Sequence, residues 1–556
     1  MTVIDETAWR ARVESELEGA SFDKALRTRL REGLVVEPLY ASAETLDAPF
    51  VRGTGVRTRG VARIDAASPQ AGARLREALQ GGAEGFWLEL KDERALASAE
   101  ALLGGIDRRA DLCWALELHQ PSLIKSILAR IPTERTGVAW LDVAHTPLDA
   151  LATALEHRQA LGASARVLGV STTREHLAGA HAVDELGWAL ALAADVLRGL
   201  EAKGQAIEAV LPAFAFRFAV GRDVFLEIAK LRAARGLWSR MQEALGVTAP
   251  APMFVVAETS RRTLSQRDPA VNYLRVTTQV FAAMVAGADL VDAAAFDDAL
   301  GSDAALGRRI ARNTSLILEH EGHLTRTADP AGGSYYVESL TSALATAAWA
   351  ELQRIERAGG AFAYAASGAA ARVLEERSHQ LQADIARRKL AITGVSEFPN
   401  PNEPAPSRGP APSYPREAAL FEALRDRVDR AGGGGAKPTV TLLTFGKLSE
   451  HAARLGFARG VFEIAGLGTI TLGAEDRWEG PPPKLVCLAG NDAAYRGGAK
   501  DVATRLKRWG VQTVILAQRP GEDEAQLREA GVDLHLYLGA DLAQILQQTL
   551  ATLGVA

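Results

Sequence analysis

The sequence predicts an α/β chain: a (β/α)8 barrel followed by a smaller doubly wound, flavodoxin-like parallel sheet. Three observations lead there. Between about residues 60 and 395, short apolar runs alternate with longer amphipathic stretches eight times. A stretch rich in proline and glycine, 398–437, then interrupts the pattern. Beyond it the strand–helix rhythm resumes, with five more strand candidates in the remaining residues. A chain of 556 residues is also too long for one core.

Taken in order, residues 1–52 predict a helix over Glu6 to Glu18, a second short helix and an extended arm. The arm carries Val36 to Tyr40 and Pro49 to Gly53, too few apolar residues for a core, so it is expected to lie on the barrel or on a partner. Residues 53–397 form the barrel. Its strand candidates are Val61–Ile64, Phe86–Leu90, Leu112–Leu116, Val138–Val143, Arg166–Val170, Ile207–Leu211, Met253–Ala257 and Asp289–Ala293. Helix-like sequence follows each, for example Val224 to Leu237 and Val271 to Ala286. Such a TIM barrel carries its active site at the C-terminal ends of the strands. Residues 398–437 read as a linker containing a helix, Arg416 to Arg430, and a flexible tetraglycine. Residues 438–556 hold strands near 439–444, 468–473, 484–489, 512–517 and 533–538.

Composition excludes several classes. A hydrophobic fraction of 47% and a charged fraction of 24% are those of a soluble globular protein. A net charge of -5 offers no electrostatic case for nucleic acid or an anionic membrane. The polar N-terminus lacks a signal-peptide core, and no apolar run is long enough to span a bilayer. Cys113 and Cys487 lie far apart in apolar runs and read as buried thiols of a cytoplasmic protein.

Four segments carry a family signature. They are Arg312-Asn313-Thr314; the loop from Asp329 through Gly332, Gly333 and Tyr336 to Glu338; Glu227 to Arg235, reading EIAKLRAAR; and Leu264 to Arg275 with Asp268-Pro269 and Asn272. In this order and spacing they resemble the cobalamin-dependent acyl-CoA mutases, above all the methylmalonyl-CoA mutase family. The barrel, linker and last domain match that family's layout over nearly the whole chain. The last domain of the family normally carries cobalamin.

The resemblance also implies where the chemistry should be, and this chain departs at each place. The family's cobalt ligand is the His of D-x-H-x-x-G, oriented by the preceding carboxylate. Here His451 is the one candidate, but Ser449 stands for the Asp and Arg454 for the Gly, so His451 reads as a surface or capping histidine. The nucleotide-tail residues become Gly490 to Tyr495, and a Gly-Gly becomes Gln518-Arg519, whose side chains should block the slot. In the barrel, Thr173 and Arg174 replace the Tyr-His pair, and His176 lies two residues late. The family's R-x-Y-A-G is absent from Gly55 to Gly60. Asp289 and Asp292 stand where a substrate-binding segment should be, and two carboxylates there should repel a polyanionic ester.

Weaker signals take simpler readings. His320-Glu321-Gly322-His323 marks a helix end rather than a metal site. Lys437, followed by Pro438, does not complete a phosphate loop. Asp297-Asp298 is a helix N-terminal charge pair.

The resemblance therefore implies a degenerate cobalamin-binding-like last domain with no catalytic residue, metal or cofactor on this chain. The implied role is the non-catalytic small subunit of a heterodimer. A homologous large subunit would bind adenosylcobalamin and interconvert methylmalonyl-CoA and succinyl-CoA, a step of propionate metabolism. Tyr40, Phe50 and Arg52 are the expected partner contacts, because aromatics and Arg anchor interfaces. Two alternatives stay open: a self-sufficient mutase with an atypical site, or a regulatory pseudoenzyme that binds another partner.

Overall fold

The computed structural model describes residues 5–42, 57–104, 113–119, 137–158, 165–302, 304–433, 437–474 and 480–555. The chain divides into two compact units. One comprises 1–260, 274–295 and 303–377; the other comprises 261–273, 296–302 and 378–556.

In the first unit the described residues form an eight-stranded closed barrel, ordered β10-β3-β4-β5-β6-β7-β8-β9. The strands are β3 (Arg59–Asp65), β4 (Gly85–Leu90), β5 (Cys113–Leu118), β6 (Gly137–Asp142), β7 (Ala165–Ser171), β8 (Phe214–Val220), β9 (Val255–Thr259) and β10 (Leu290–Asp292). Every neighbouring pair is parallel, as strands joined by helical crossovers must be. The strands are mostly apolar because both faces are covered, by the lumen inside and by helices outside, but Arg63, Glu89, Glu117, Arg217, Glu258 and Asp292 interrupt the apolar runs.

One strand lies elsewhere than expected. Ile207–Val210 is a short helix, followed by a 3-10 turn through Pro212, and β8 begins only at Phe214. All seven residues of β8 are buried, Arg217 included. The charge of Arg217 hides this strand in the sequence, and Pro212 cannot donate a ladder hydrogen bond.

Three helices, Ala182–Ala202, Val224–Ala244 and Tyr335–Arg357, pack together outside the barrel. The second begins at Asp223, whose carboxylate accepts from the Leu226 backbone N–H at 3.2 Å, an N-cap bond. The N-terminal segment holds a helix, Glu6–Glu16, and a hairpin of β1 (Thr28–Arg29) and β2 (Val35–Val36). Among its described residues, 5–42, only Phe22 is buried.

The second unit is built on a five-stranded parallel sheet ordered β12-β11-β13-β14-β15. Its strands are β11 (Thr439–Thr444), β12 (Gly468–Gly473), β13 (Leu485–Ala489), β14 (Thr513–Leu516) and β15 (Leu534–His535). Helices Leu448–Ile464 and Leu542–Leu553 contribute to one core cluster, and helix Asp492–Trp509 contributes to another. The stretch read as a linker is part of this unit. Helix Ala419–Gly432 buries Phe421, Leu424 and Val428 in the first cluster, beside Leu381, Ile385, Ile392 and Val395.

Candidate functional site

Strand alternation decides what fills the barrel lumen. Val61, Trp87, Ala115, Val138, Trp140, Ala215, Phe254, Val256 and Leu290 form one buried apolar cluster. The Trp87 and Trp140 rings lie 5.8 Å apart. A Cβ on Gly169, in the neighbouring strand, would overlap the Trp140 indole, so that glycine makes the large ring possible.

Above this layer, toward the C-terminal ends of the strands, lies a lid of charges. Arg63 Nε donates to Asp292 at 2.7 Å, Nη1 to Glu89 at 3.1 Å and Glu117 at 3.3 Å, and Nη2 to Glu258 at 3.1 Å. Arg217 donates through both Nη atoms to Glu117, at 3.1 and 3.0 Å, and through Nε to Ser171 at 3.1 Å. Its guanidinium sits 4.8 Å from the Trp140 ring centroid, a cation–π contact. Burial alone would raise the Glu117 pKa, but the charges of Arg217 and Arg63 outweigh it and hold the carboxyl at about 2. Seven strands thus meet across the lumen where a barrel enzyme keeps its reactants.

The segment after β7 carries Thr173, Arg174 and His176. Thr173 Oγ1 lies 3.0 Å from Ser171 Oγ, and Arg174 is exposed, with Nη1 3.2 Å from His145 Nε2. His176 turns inward instead. Its Nδ1 is 2.9 Å from Glu185 Oε1 and its Nε2 is 2.7 Å from Ser260 Oγ. Lys230 joins the group, donating to Glu185 at 3.3 Å, to Glu227 at 2.7 Å and to the Ala219 carbonyl at 2.6 Å. Serine, histidine and glutamate in this order have the hydrogen-bond pattern of an activated nucleophile. Ser260 and His176 are each only 2% exposed, so no substrate reaches them and the arrangement clamps the barrel's outer helices to its rim.

The two carboxylates expected to repel a ligand are neutralised, which corrects that expectation. Asp289 accepts from Arg235 at 3.0 Å and from the Val255 N–H at 2.7 Å, while Asp292 is held by Arg63. The family segments prove to be mutual fasteners. Arg232, from the EIAKLRAAR helix, binds Asp329, Glu338 and Thr341 of the Asp329–Glu338 loop and its helix. In the second unit, Asn272 Oδ1 accepts from the Ser265 N–H at 3.0 Å, and Arg267 pairs with Asp426 and Asp429. Among the described residues no group of three or more His, Cys, Asp or Glu side chains could hold a metal ion, His320 and His323 included.

His451 lies in the first turn of helix Leu448–Ile464 and is partly buried. Its Nδ1 faces the Phe445 carbonyl at 3.1 Å, so a backbone oxygen stands where a carboxylate would orient a metal ligand. Beyond it, Tyr495 and Phe445 pack edge to face at 5.7 Å, and Arg454 lies over the Tyr495 ring at 5.1 Å. Arg454 also bonds the Gly490 carbonyl and Asp492. Gln518 Nε2 reaches Asp492 at 3.3 Å, and Arg519 stacks on Tyr537 at 5.3 Å. These residues do not fit cobalamin: the donor set is incomplete and aromatic and guanidinium groups fill the slot.

Of the expected partner contacts, Tyr40 packs on Tyr336 at 5.3 Å, and Tyr336 packs on Phe225 at 5.2 Å. Phe225 is 49% and Tyr335 46% exposed. Phe50 and Arg52 lie outside the described residues.

The comparison with known proteins agrees with the motif reading. The family model described as methylmalonyl-CoA mutase matches residues 144–431. A Streptomyces virginiae protein named methylmalonyl-CoA mutase small subunit is 36% identical, over 97% of this chain and 94% of that protein. A Mycobacterium tuberculosis protein named probable methylmalonyl-CoA mutase small subunit is 34% identical, over 91% and 89%. A Rhizobium meliloti methylmalonyl-CoA mutase is 38% identical, but over only 41% of this chain and 32% of that protein. This chain belongs to the methylmalonyl-CoA mutase family.

Proposed function

We propose that this chain is the non-catalytic small subunit of a heterodimeric, adenosylcobalamin-dependent methylmalonyl-CoA mutase of the cytoplasm. The homologous large subunit carries the cofactor and the residues that interconvert methylmalonyl-CoA and succinyl-CoA. The observation that carries this reading is the lumen, packed by Trp87 and Trp140 and closed by the Arg63 and Arg217 network. A thioester placed there would have to displace two arginines from four carboxylates, leaving buried charges unpaired. The surroundings of His451 and Tyr495 support the same reading for the second unit.

The partner surface is assigned to the N-terminal segment with Tyr40, Phe50 and Arg52. In its favour, the described part of that segment buries almost nothing of its own and leaves Val35 40% exposed.

The test is a titration of the purified chain with adenosylcobalamin, read by visible spectrum, alongside co-purification with a longer paralogue carrying D-x-H-x-x-G and the Tyr-His pair. The expected result is no binding by this chain at tens of micromolar cofactor, and a stable complex that Tyr40→Ala and Phe50→Ala weaken. Saturable binding with a shifted spectrum would overturn the reading and make His451 the first residue to substitute. Unchanged affinity in both alanine variants would remove the segment from the interface.

A further inference from the structure

Doubly wound sheets take ligands at the C-terminal edge of the strands, beside the point where strand order reverses. In the second unit that reversal lies between β11 and β13, since the chain passes from β11 outward to β12 and returns to β13 on the other side. At this edge lies Tyr495, from the first turn of helix Asp492–Trp509, packed with Phe445 and Arg454.

Tyr495 is 5% exposed. Its hydroxyl accepts from the Gly490 N–H at 2.8 Å and faces the Leu488 and Ala517 carbonyls at 3.0 and 3.3 Å. The hydroxyl thus gives the Gly490 N–H and the Ala517 carbonyl a partner at the ends of β13 and β14, while the Leu488 carbonyl also accepts from the Ala517 N–H at 2.9 Å. The ring lies edge-on to Phe445, and the Arg454 guanidinium covers it. Gly490 is fitted to this occupant: a Cβ there would sit 3.1 Å from Tyr495 Cε1 and 3.0 Å from Phe445 Cβ. A flat ring, a polar tip paired with main chain, and a cation over the face are the contacts by which a pocket binds an aromatic ligand.

We infer that the second unit contains a self-filled ligand pocket at its sheet's C-terminal edge, with Tyr495 as the built-in ligand and phenol-sized flat aromatics bearing a hydroxyl as the class it accepts once that side chain is removed. This stands independently of the subunit assignment, because it concerns the domain's own packing.

The experiment is thermal unfolding of the full-length chain as wild type, Tyr495→Gly and Tyr495→Phe, each titrated with phenol. Truncation of a buried ring leaves an apolar cavity that the surroundings only partly close. The expected result is a lowered midpoint for Tyr495→Gly that millimolar phenol raises saturably by about 2 °C or more. Wild type and Tyr495→Phe, whose pocket is still occupied, show no such rise. If Tyr495→Gly is insoluble, the same reading applies to refolding yield with and without phenol. No phenol-dependent gain in midpoint or yield, or a Tyr495→Gly variant as stable as wild type, overturns the inference.

Discussion

Arg232 and Asp329, 97 residues apart, are joined by two hydrogen bonds, Nη2 to Oδ2 at 2.8 Å and Nε to Oδ1 at 3.2 Å. The same guanidinium reaches Glu338 Oε1 at 2.7 Å, and Glu338 in turn accepts from the Gly333 N–H at 3.0 Å. Two segments that carry the family resemblance are thus the two halves of one latch. These motif residues hold helices together, which ties this part of the family signature to the scaffold.

Removing one side of a buried pair leaves the other charge uncompensated. Arg232→Ala is expected to lower stability by about 3 kcal/mol, while Asp329→Ala, at a more exposed position, costs about half as much. Urea unfolding of both singles and the double gives the coupling. Additive losses would mean that the latch contributes nothing beyond its separate members.

The lumen lid makes an acid-side prediction. The Glu117 carboxyl is held at about 2 against an ordinary 4.5, so its contribution is present above pH 4.5 and is lost as pH falls toward 2. Arg217→Met leaves Glu117 with Arg63, at 3.3 Å, and the Trp87 indole N–H as its partners, and is expected to cost about 2–3 kcal/mol at pH 7, less than a fully uncompensated buried charge. It should also reduce the slope of stability against pH over that acid window. An unchanged slope would show that Glu117 is not held by Arg217.

Glu175 behaves in the opposite sense. Burial, with Asp142 nearby, pushes its carboxyl up to about 7 from 4.5, and its Oε2 is buried without a hydrogen-bond partner. The folded chain therefore holds a proton that the unfolded chain releases, and stability declines as pH rises from about 4.5 to 7. Glu175→Gln is expected to be nearly neutral at pH 4.5 and to stabilise by about 2 kcal/mol at pH 8. Denaturant midpoints at the two pH values check this, and equal shifts at both would place the charged carboxylate in solvent.

Gly169 tests the lumen packing. A methyl group there meets the Trp140 indole, and overpacking of this kind costs about 1–3 kcal/mol. Gly169→Ala should also alter the near-ultraviolet circular dichroism of the Trp87–Trp140 pair. An unaltered spectrum would mean the ring can move aside.

Much of the fold was legible because strand and helix periodicities are local. Seven barrel strands and the five strands of the second sheet were readable as apolar runs. The remaining strand, Phe214–Val220, is hidden in the sequence because Arg217 interrupts its apolar run, and only the inward Glu117 carboxylate gives that arginine a reason to be there. The stretch 398–437 reads as a linker with a helix over Arg416 to Arg430; that helix, Ala419–Gly432, buries Phe421, Leu424 and Val428 in the second unit. That face gains its meaning from partners far away in the chain.

The sequence by itself determined the architecture and the family, because both are carried by periodicities and motifs along the chain. The tertiary structure alone decided how the buried polar residues are partnered. Arg63 gathers carboxylates from four other strands, His176 finds Ser260 across 84 residues, and Tyr495 reaches the ends of two strands. No local pattern encodes such meetings, because a buried charge or hydroxyl is tolerated only where distant backbone and side-chain groups converge to pair with it.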